Sequence, residues 1–411
     1  MSDRHAAGGQ PVILDVSRLL WRAWLGHIPT GIDRSMLAYV AHYRGRARAL
    51  VQRSGYTRIL PLWLSRRLFD VLLNGAPIGR RLALSAILTA SFYTPLARGT
   101  RGLPYLNVGH TGLDRPGHAR WVRRMGVRPI YFVHDLIPIT HPQYCRAGED
   151  VRHAQRMRAL LRLGVAVVAN SDDTLDRLAE FADREGLAMP PHRVVALLGV
   201  EPFWEAARGA AAPQEDDRPY FLTLGTIEGR KNHILLLRIW RDLARELGDA
   251  CPRLVIVGQR GWQCEDVTAV LDGCPELRGH VTEVARCGDA ELVSLMAGAR
   301  ALLFPSFAEG YGLPLVEALA LGTPVIASDL PVFAEIAGDV ALRIDPNDGA
   351  AWDAAIRDYA RPDSAARAAQ MERLVASGFR VPEWDAHFRV VDRLVEAVAA
   401  SAQPNGTIST G

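Results

Sequence analysis

Two hydrophobic periodicities alternate along this chain of 411 residues. Short apolar runs rich in β-branched residues are followed by longer segments that place apolar residues every three or four positions. The first pattern is typical of buried strands and the second of amphipathic helices, so their alternation predicts a parallel α/β protein. The predicted strands are Pro11–Val16, Ile130–His134, Val165–Asn170, Arg193–Leu197, Tyr220–Leu224, Leu254–Val257, Ala301–Phe304, Pro324–Ala327 and Ala341–Ile344.

A polar segment divides these strands into two sets. Glu201–Pro219 contains GAAAPQEDDRP, which is typical of a linker. We therefore expect two doubly wound domains of similar size, over residues 1–200 and 220–380, facing each other across a cleft. Residues 381–402 repeat apolar positions at helical spacing, which predicts a terminal helix that crosses back to the first domain. Residues 403–411 are expected to form a frayed tail.

Residues 58–103 depart from this rhythm because they are dense in leucine, arginine and aromatic residues. The run after Pro61, LWLSRRLFDVLL, predicts an amphipathic helix with Leu64, Leu68, Val71 and Leu72 on one side. Two interpretations remain open for this segment. The helix either packs on its own domain or lies on a membrane surface. In the second case the arginines facing anionic lipid are Arg66, Arg67, Arg80 and Arg81.

Composition excludes several classes of protein. With 49% hydrophobic and 23% charged residues, the chain is neither disordered nor a disulfide scaffold. A net charge of +3 argues against a general nucleic-acid binder. Five cysteines without a C-x-x-C pair, and a polar start without an apolar segment, predict a cytoplasmic protein with reduced thiols. No apolar stretch reaches the length of a membrane span, so the expected membrane contact is at most peripheral, at an inner membrane.

The strongest local signal is a glycine-bracketed loop between a strand and a helix. Gly310 and Gly312 flank Tyr311, and Pro314 suits the first turn of the helix that follows. The N–H groups at such a helix start favour an anion. Glu309 and Glu317, eight residues apart, are placed to reach different parts of one extended ligand. Since carboxylates accept hydrogen bonds from pairs of hydroxyls, two sugar rings are plausible targets.

Positive charge for a phosphate must come from elsewhere, because residues 301–342 contain no lysine or arginine. The nearest candidate is the loop after Tyr220–Leu224, where Gly225 ends the strand and Arg230, Lys231 and Asn232 are predicted to open the next helix. Two cations at a helix start form a diphosphate clamp, although a solvated helix end is the alternative. Of the 48 lysine and arginine residues, Lys231 is the single lysine.

Together these motifs resemble the retaining glycosyltransferases of family 4, which have the GT-B fold of two Rossmann-like domains. The resemblance covers residues 220–345 through GTIEGRKNH, LVIVG, EGYGLPLVE, GTPVIAS and EIAGDVA. It is weaker in the first half, through TGIDR at 30–34, YFVHD at 131–135 and NSDDT at 170–174. Residues 1–200 would form the acceptor side, and residues 220–380 would bind the nucleotide sugar.

The resemblance also implies roles for individual residues. In the second domain, Glu309 would hold hydroxyls of the donor sugar and Glu317 the nucleotide ribose, while Lys231, aided by Arg230, would hold the diphosphate. The family's donor site further implies contacts from a set of loop residues. These are Gly225, Gly310, Tyr311, Gly312 and Leu313.

In the first domain, His134 resembles the family's histidine near the reacting sugar carbon, with a structural core histidine as the alternative. Gly31 resembles the glycine near the phosphates and the acceptor, with a plain helix start as the alternative. His110 either contacts the acceptor or packs within its loop. Thr226 stands where many relatives carry arginine, which leaves Arg230 as the substitute phosphate contact.

The implied function is retaining transfer of a hexose, of mannose or rhamnose type, from a nucleoside-diphosphate sugar such as GDP-mannose. The implied acceptor is a saccharide or lipid-linked saccharide in bacterial polysaccharide biosynthesis. No D-x-D pair is placed to hold Mg²⁺ and no cysteine spacing fits zinc, so we expect metal-independent chemistry without a cofactor. The absence of G-x-G-x-x-G argues against an NAD enzyme. A non-catalytic nucleotide-sugar-binding protein and a nucleotide-sugar epimerase remain alternatives.

Overall fold

The computed structural model describes residues 9–27, 29–53, 55–74, 77–94, 98–208 and 218–401. Contacts within this part of the chain form two compact units. The first comprises the residues up to Leu136, Val151–Leu198 and the chain from Trp384 onward. The second comprises Ile137–Asp150 and Gly199–Glu383. Among the described residues, no helix has both the length and the apolar character needed to cross a membrane.

Strands and helices are numbered in chain order. The strands are β1 (Val12–Asp15), β2 (Ala47–Arg53), β3 (Tyr56–Ile59), β4 (Pro104–Asn107), β5 (Arg128–Val133), β6 (Ala166–Ala169), β7 (His192–Val195), β8 (Tyr220–Leu224), β9 (Arg253–Val257), β10 (Val281–Val284), β11 (Leu302–Phe304), β12 (Val325–Ser328) and β13 (Leu342–Ile344). The helices are α1 (Ser17–Leu25), α2 (Gly31–Tyr43), α3 (Leu62–Asn74), α4 (Pro77–Tyr93), α5 (Pro116–Met125), α6 (Ile137–Thr140), α7 (Glu149–Leu163), α8 (Asp172–Arg184), α9 (Pro202–Ala206), α10 (His233–Leu247), α11 (Glu265–Gly273), α12 (Asp289–Gly298), α13 (Leu313–Leu321), α14 (Pro331–Ala337), α15 (Gly349–Ala360), α16 (Ala365–Ala376) and α17 (Trp384–Ala400).

The first unit is built on a seven-stranded sheet in the order β3-β2-β1-β4-β5-β6-β7. All neighbouring strands are parallel except β3, which pairs antiparallel with β2. Strands β1, β4 and β6 are buried at every position, as expected for strands covered by helices on both faces. Because these strands are parallel, the loops after β4, β5 and β6 meet at one edge of the sheet.

The second unit is built on a six-stranded sheet in the order β10-β9-β8-β11-β12-β13, and all its pairs are parallel. Its core includes Phe221, Trp240 and Trp352, each with no exposed surface. The order places β8 beside β11 at the centre, so the loops after these two strands lie side by side. The predicted α/β class with two Rossmann-like sheets is therefore confirmed.

All nine predicted strands are present, and four strands were missed. The missed strands are β2, β3, β4 and β10. β2 carries Arg48, Gln52 and Arg53, and β10 is a half-exposed edge strand. β3 has the sequence YTRI and β4 the sequence PYLN, so each has polar residues or proline at half of its positions. Polar and edge strands give little of the apolar pattern on which the prediction rests.

The segment predicted as a linker, residues 201–219, begins with helix α9, and its Trp204 is buried. Residues 209–217 and the predicted tail at 403–411 lie outside the described residues. Helix α17 groups with the first unit, as predicted. Ile137–Asp150, which the predicted boundaries assign to the first domain, groups with the second unit, where Tyr144 stacks on Phe307 with ring centroids 5.2 Å apart.

Candidate functional site

The loop after β8 brings two cations to the edge of the second sheet. Gly229–Lys231 forms a single 3₁₀ turn, which ends at Asn232 in the left-handed conformation with φ 54°. Helix α10 starts only at His233, so Arg230 and Lys231 precede the helix instead of opening it as predicted. Asn232 Nδ2 in the side chain donates a hydrogen bond to Pro346 O at 3.0 Å, which stabilises this change of direction.

Arg230, Lys231 and Glu309 form a compact ion cluster. Lys231 Nζ lies 2.6 Å from Glu309 Oε1, and Arg230 Nη1 lies 2.8 Å from Glu309 Oε2. Arg230 Nε contacts Glu228 Oε1 at 2.6 Å. Hydrogen bonds to backbone carbonyls join the two loops as well. Phe307 N donates to Arg230 O at 2.8 Å, and the Arg230 side chain donates from Nη1 to Ala308 O at 3.0 Å. The loops after β8 and β11, 78 residues apart in sequence, therefore form one site.

Burial and charge shift the pKa values of this cluster in different directions. Burial alone would raise the pKa of Glu309, but the adjacent Arg230 and Lys231 lower it to about 2. Burial lowers the pKa of the Lys231 ammonium against the opposing attraction of Glu309. Burial raises the pKa of Glu228, which Arg230 partly offsets. Glu309 is thus a firmly ionised carboxylate with both oxygens occupied by cations.

The space around Lys231 is closely fitted. Its Nζ lies 4.6 Å from the centre of the Phe304 ring, a cation–π contact. Gly225 has φ 141°, and a Cβ at this position would lie 3.2 Å from Lys231 Cε. A Cβ on Gly258 would lie 1.9 Å from Gly225 O, so both glycines are required for the close approach of the β8 and β9 loops.

The loop Gly310–Leu313 leads into α13. Gly312 has φ 105°, and a Cβ there would lie 2.6 Å from Phe333 Cε1, so glycine is required at this turn. Tyr311 and Leu313 are buried. Helix α13 begins at Leu313 with Pro314 in its first turn, as predicted, so its N-terminal N–H groups follow the Glu309 loop directly.

Glu317 lies one turn into α13 and has no exposed surface. It therefore shares an element with the glycine loop but sits deeper than Glu309, whose side chain is 8% exposed. Its predicted ribose contact remains a prediction.

His134 follows β5 in the first unit and is buried. Its Nε2 lies 2.7 Å from Val108 O and Asn170 Nδ2 donates to His134 O at 2.9 Å. The carbonyl partner requires the proton on Nε2, which leaves the lone pair on Nδ1. Burial lowers the pKa of His134 to about 4, so the ring is neutral at pH 7.

Two further histidines, His110 and His153, continue the cluster that begins at His134. The ring centroid of His110 lies 5.6 Å from that of His134 and 5.6 Å from that of His153. His110 adopts φ 55°, and its Nε2 lies 2.6 Å from Phe132 O. Burial lowers the pKa of His110 well below its usual value. The loop position of His110 was recognised in the sequence, but His153 lies within α7, where helical periodicity gave no signal.

Gly31 is the first residue of α2, and the Asp33 side chain already caps this helix start. Asp33 Oδ2 accepts hydrogen bonds from Thr30 N and Thr30 Oγ1, each at 2.8 Å. Arg18 Nε and Arg22 Nε lie 2.9 and 2.7 Å from the Asp33 carboxylate. The predicted phosphate contact of Gly31 remains a prediction beside this capped helix start.

The structure thus brings together Gly225, Arg230, Lys231, Glu309, Gly310, Tyr311, Gly312, Leu313 and Glu317 in the second unit, and places His134 and Gly31 in the first. Nothing in the sequence indicated a role for Glu228, which lies within GTIEGRKNH, or for Phe304, which ends the predicted strand Ala301–Phe304. Among the described residues, no group of three or more histidine, cysteine or acidic side chains is placed to hold a metal ion.

Comparisons with known proteins show what this chain is similar to. Residues 209–372 match the family model of the group 1 glycosyl transferases. A serotype-specific mannosyltransferase, WbdA of Escherichia coli, is 31% identical over 246 residues, covering 54% of this chain and 28% of the relative. O-antigen chain mannosyltransferase B of Escherichia coli is 38% identical over 145 residues, covering 35% of this chain and 38% of the relative. The chain therefore spans less than half the length of these curated relatives.

Solved structures share the fold over most of the chain. Alr3699/HepE of Anabaena, crystallised in complex with UDP and glucose, is 14% identical with a TM-score of 0.64. The match covers 94% of this chain and 100% of that one. At this identity the likeness concerns the fold, and it confirms the GT-B architecture predicted from the sequence.

Proposed function

We propose that this protein transfers a hexose, of mannose or rhamnose type, from a nucleoside-diphosphate sugar to a saccharide acceptor. Residues 209–372 match the family model of the group 1 glycosyl transferases, which supports this proposal. The observation that carries the proposal is the cluster of Arg230, Lys231 and Glu309 beside the start of α13. The similarity to O-antigen mannosyltransferases supports a mannosyl donor, GDP-mannose, and a role in polysaccharide biosynthesis.

The proposed reaction breaks the bond between the anomeric carbon and the diphosphate and forms a bond from that carbon to an acceptor hydroxyl oxygen. Negative charge grows on the departing phosphate as the first bond breaks. Lys231, Arg230 and the N–H groups at the start of α13 stabilise this charge, which lowers the barrier. The acceptor proton passes to the departing phosphate, so no separate base is required.

We further propose that the reaction retains the anomeric configuration without a glycosyl-enzyme intermediate. Glu309 is the carboxylate that contacts both cations, and a carboxylate with a pKa of about 2 is a weak nucleophile. Both of its oxygens already accept from cationic groups. Its role is to orient sugar hydroxyls, and the acceptor attacks from the face that the diphosphate leaves.

The reaction is proposed to need no metal ion, because two cationic side chains and a helix N-terminus supply the charge that the diphosphate requires. The contact of His134 with the transferred sugar remains a prediction from the family resemblance. Its neutral ring is suited to hydrogen bonding rather than to charge stabilisation.

The test is acceptor-dependent release of nucleoside diphosphate from GDP-mannose, UDP-glucose and dTDP-rhamnose, with the product identified by mass spectrometry and its anomeric configuration by NMR. We expect one donor to give an α- or β-linkage that matches its own configuration, with unchanged rates in excess EDTA. Glu309→Ala should lower kcat by orders of magnitude, and Glu372→Ala, on exposed α16 surface, should not.

Two results would contradict the proposal. An altered sugar nucleotide formed without acceptor would indicate an epimerase. Donor binding without turnover on any saccharide acceptor would indicate a non-catalytic nucleotide-sugar-binding protein.

A further inference from the structure

Charge is distributed very unevenly along the chain. Residues 44–103 contain eleven arginines and a single acidic residue, Asp70, an excess of ten positive charges in a protein whose net charge is +3. This segment forms β2, β3 and the helical pair α3 and α4 in the first unit. An imbalance of this kind predicts an anionic partner.

Helix α3 has one buried side and one exposed side. Leu64, Leu68 and Leu72 are buried, so the interpretation that this helix packs on its own domain is correct for that side. The exposed side carries Leu62, Trp63, Arg66, Arg67 and Asp70, at the spacing of one helix face. The Arg67 guanidinium lies 6.0 Å from the centre of the Trp63 ring.

Helix α4 is unusual for a helix at a protein surface. Its seventeen residues include two charges, Arg80 and Arg81, and no acidic residue. Its exposed positions include Leu82, Phe92 and Tyr93, which are 76%, 64% and 86% exposed. An exposed helix face in a soluble protein is ordinarily polar or charged.

Helices α3 and α4 pack against each other, and we call their exposed side chains the α3–α4 surface. Of the eleven large apolar side chains that are exposed in the described part of the chain, five lie here. The α3–α4 surface includes Leu62, Trp63, Arg66, Arg67, Asp70, Arg81, Leu82, Phe92 and Tyr93.

We propose that the α3–α4 surface docks this protein on an anionic lipid bilayer. Aromatic and leucine side chains among arginines, without carboxylates other than Asp70, match the boundary between acyl chains and phosphate headgroups. The arginines bind lipid phosphates while the apolar side chains enter the boundary region. A nucleic acid would neutralise the arginines but would leave Leu62 and Leu82 in water, so a bilayer is the better match.

The proposal does not depend on the glycosyl transfer proposed above. It is consistent with α4 packing on α1, whose Arg18 and Arg22 hold Asp33 at the start of α2. Helix α1 thus contacts both α4 and, through its two arginines, the start of α2.

The experiment is co-sedimentation of the full chain with vesicles of phosphatidylethanolamine and phosphatidylglycerol, compared with vesicles of phosphatidylcholine. Wild-type protein should bind the anionic vesicles, and high salt should weaken this binding. The charge variant Arg66→Gln, Arg67→Gln, Arg81→Gln should reduce the partition coefficient about tenfold or more, because each basic residue near the surface contributes to binding.

The apolar variant Trp63→Ser, Leu82→Ser, Tyr93→Ser should also reduce the partition coefficient about tenfold or more, because it removes the groups that enter the bilayer. The matched control Leu247→Ser, Val375→Ser removes exposed apolar side chains of the second unit and should bind like wild type. All variants change exposed side chains, so their circular dichroism spectra and melting temperatures should match those of the wild type.

Three results would overturn the proposal. The first is absence of binding to anionic vesicles, and the second is binding that neither variant weakens. The third is salt-sensitive binding to single-stranded RNA without binding to vesicles, which would assign the arginines to a nucleic acid.

Discussion

If Arg230 and Lys231 hold the diphosphate as proposed, Glu309 competes with it for these two cations. This competition gives a prediction that differs from simple loss of a ligand contact. Its pKa of about 2, against an ordinary value of 4.5, reflects net stabilisation of the carboxylate by Arg230 and Lys231. At about 1.4 kcal/mol for each pH unit, the difference corresponds to about 3 kcal/mol. Part of this free energy must be given up when a diphosphate takes over the cations.

Glu309→Gln keeps the shape of the side chain but removes its charge. We expect the variant to bind GDP or UDP more tightly than wild type, by tenfold or more, with a ceiling of about a hundredfold set by the 3 kcal/mol. Transfer activity should fall by orders of magnitude at the same time, because the hydroxyls of the sugar lose their carboxylate. Isothermal titration calorimetry measures the affinity with the diphosphate that stabilises wild type most.

Stability provides a second readout for Glu309→Gln. Because the folded-state pKa of Glu309 lies below its ordinary value, its contribution is present above pH 4.5 and is lost as the pH falls towards 2. The variant should therefore lose up to about 3 kcal/mol of stability at pH 7. The control is Glu276→Gln, whose carboxylate contacts Arg245 at 2.6 Å on an exposed surface and should leave nucleotide affinity unchanged. Equal or weaker diphosphate binding by folded Glu309→Gln would refute the reasoning.

Three further predictions follow from the packing and burial of single side chains. Lys231→Arg keeps the charge but not the close fit against the Phe304 ring and Gly225. Its kcat should therefore fall at least about tenfold with the fold intact. Full activity would show that charge alone matters. Gly312→Ala should cost about 1–3 kcal/mol in thermal unfolding, because φ is 105°, whereas Gly273→Ala, with open space, should not; equal melting temperatures would contradict this. The buried, neutral histidines should make the first unit sensitive to acid. Their folded pKa values of about 4 lie below the ordinary value of 6.5, so between pH 6.5 and pH 4 protonation favours the unfolded chain. The expected loss of stability is roughly 1 kcal/mol per pH unit for each ring. These histidines are His118, His134 and His387, and urea unfolding at pH 7 and pH 5 checks the prediction, which equal midpoints would contradict.

The site in the second unit was largely predictable from the sequence because each of its residues lies in a loop between a recognisable strand and a helix. The glycines at 225 and 312 marked turns that other residues adopt only with strain, and the glutamate and lysine near them supplied the chemistry. What the sequence could not show is that Glu309 bridges both cations, since this contact joins residues 78 positions apart. The role of Glu228 was missed because a glutamate beside an arginine usually indicates a solvated pair.

The first unit was less predictable, for physical reasons that differ from one element to the next. The sequence of β2 does not resemble a buried strand, because Gln52 and two arginines interrupt its apolar positions. In the structure Gln52 is nevertheless part of the buried network, since its Nε2 donates to the buried Asp15 at 2.6 Å. The buried polar contacts around Asp15 and His134 depend on which strands are neighbours. Local hydrophobic periodicity predicts strands but not their order in the sheet. The α3–α4 surface was recognised as unusual from composition, but its exposed face is defined only by the packing of the two helices.

The position of the single lysine allows a direct test of the claim that Lys231 holds the diphosphate of the donor. Protein labelled with ¹⁵N-lysine contains one ammonium resonance from a side chain, that of Lys231. Addition of GDP-mannose, or of the donor that the transfer assay identifies, should shift this resonance and protect the amine from acylation, whereas the sugar alone should do neither. A resonance that stays unmoved while calorimetry shows the donor bound would contradict the account.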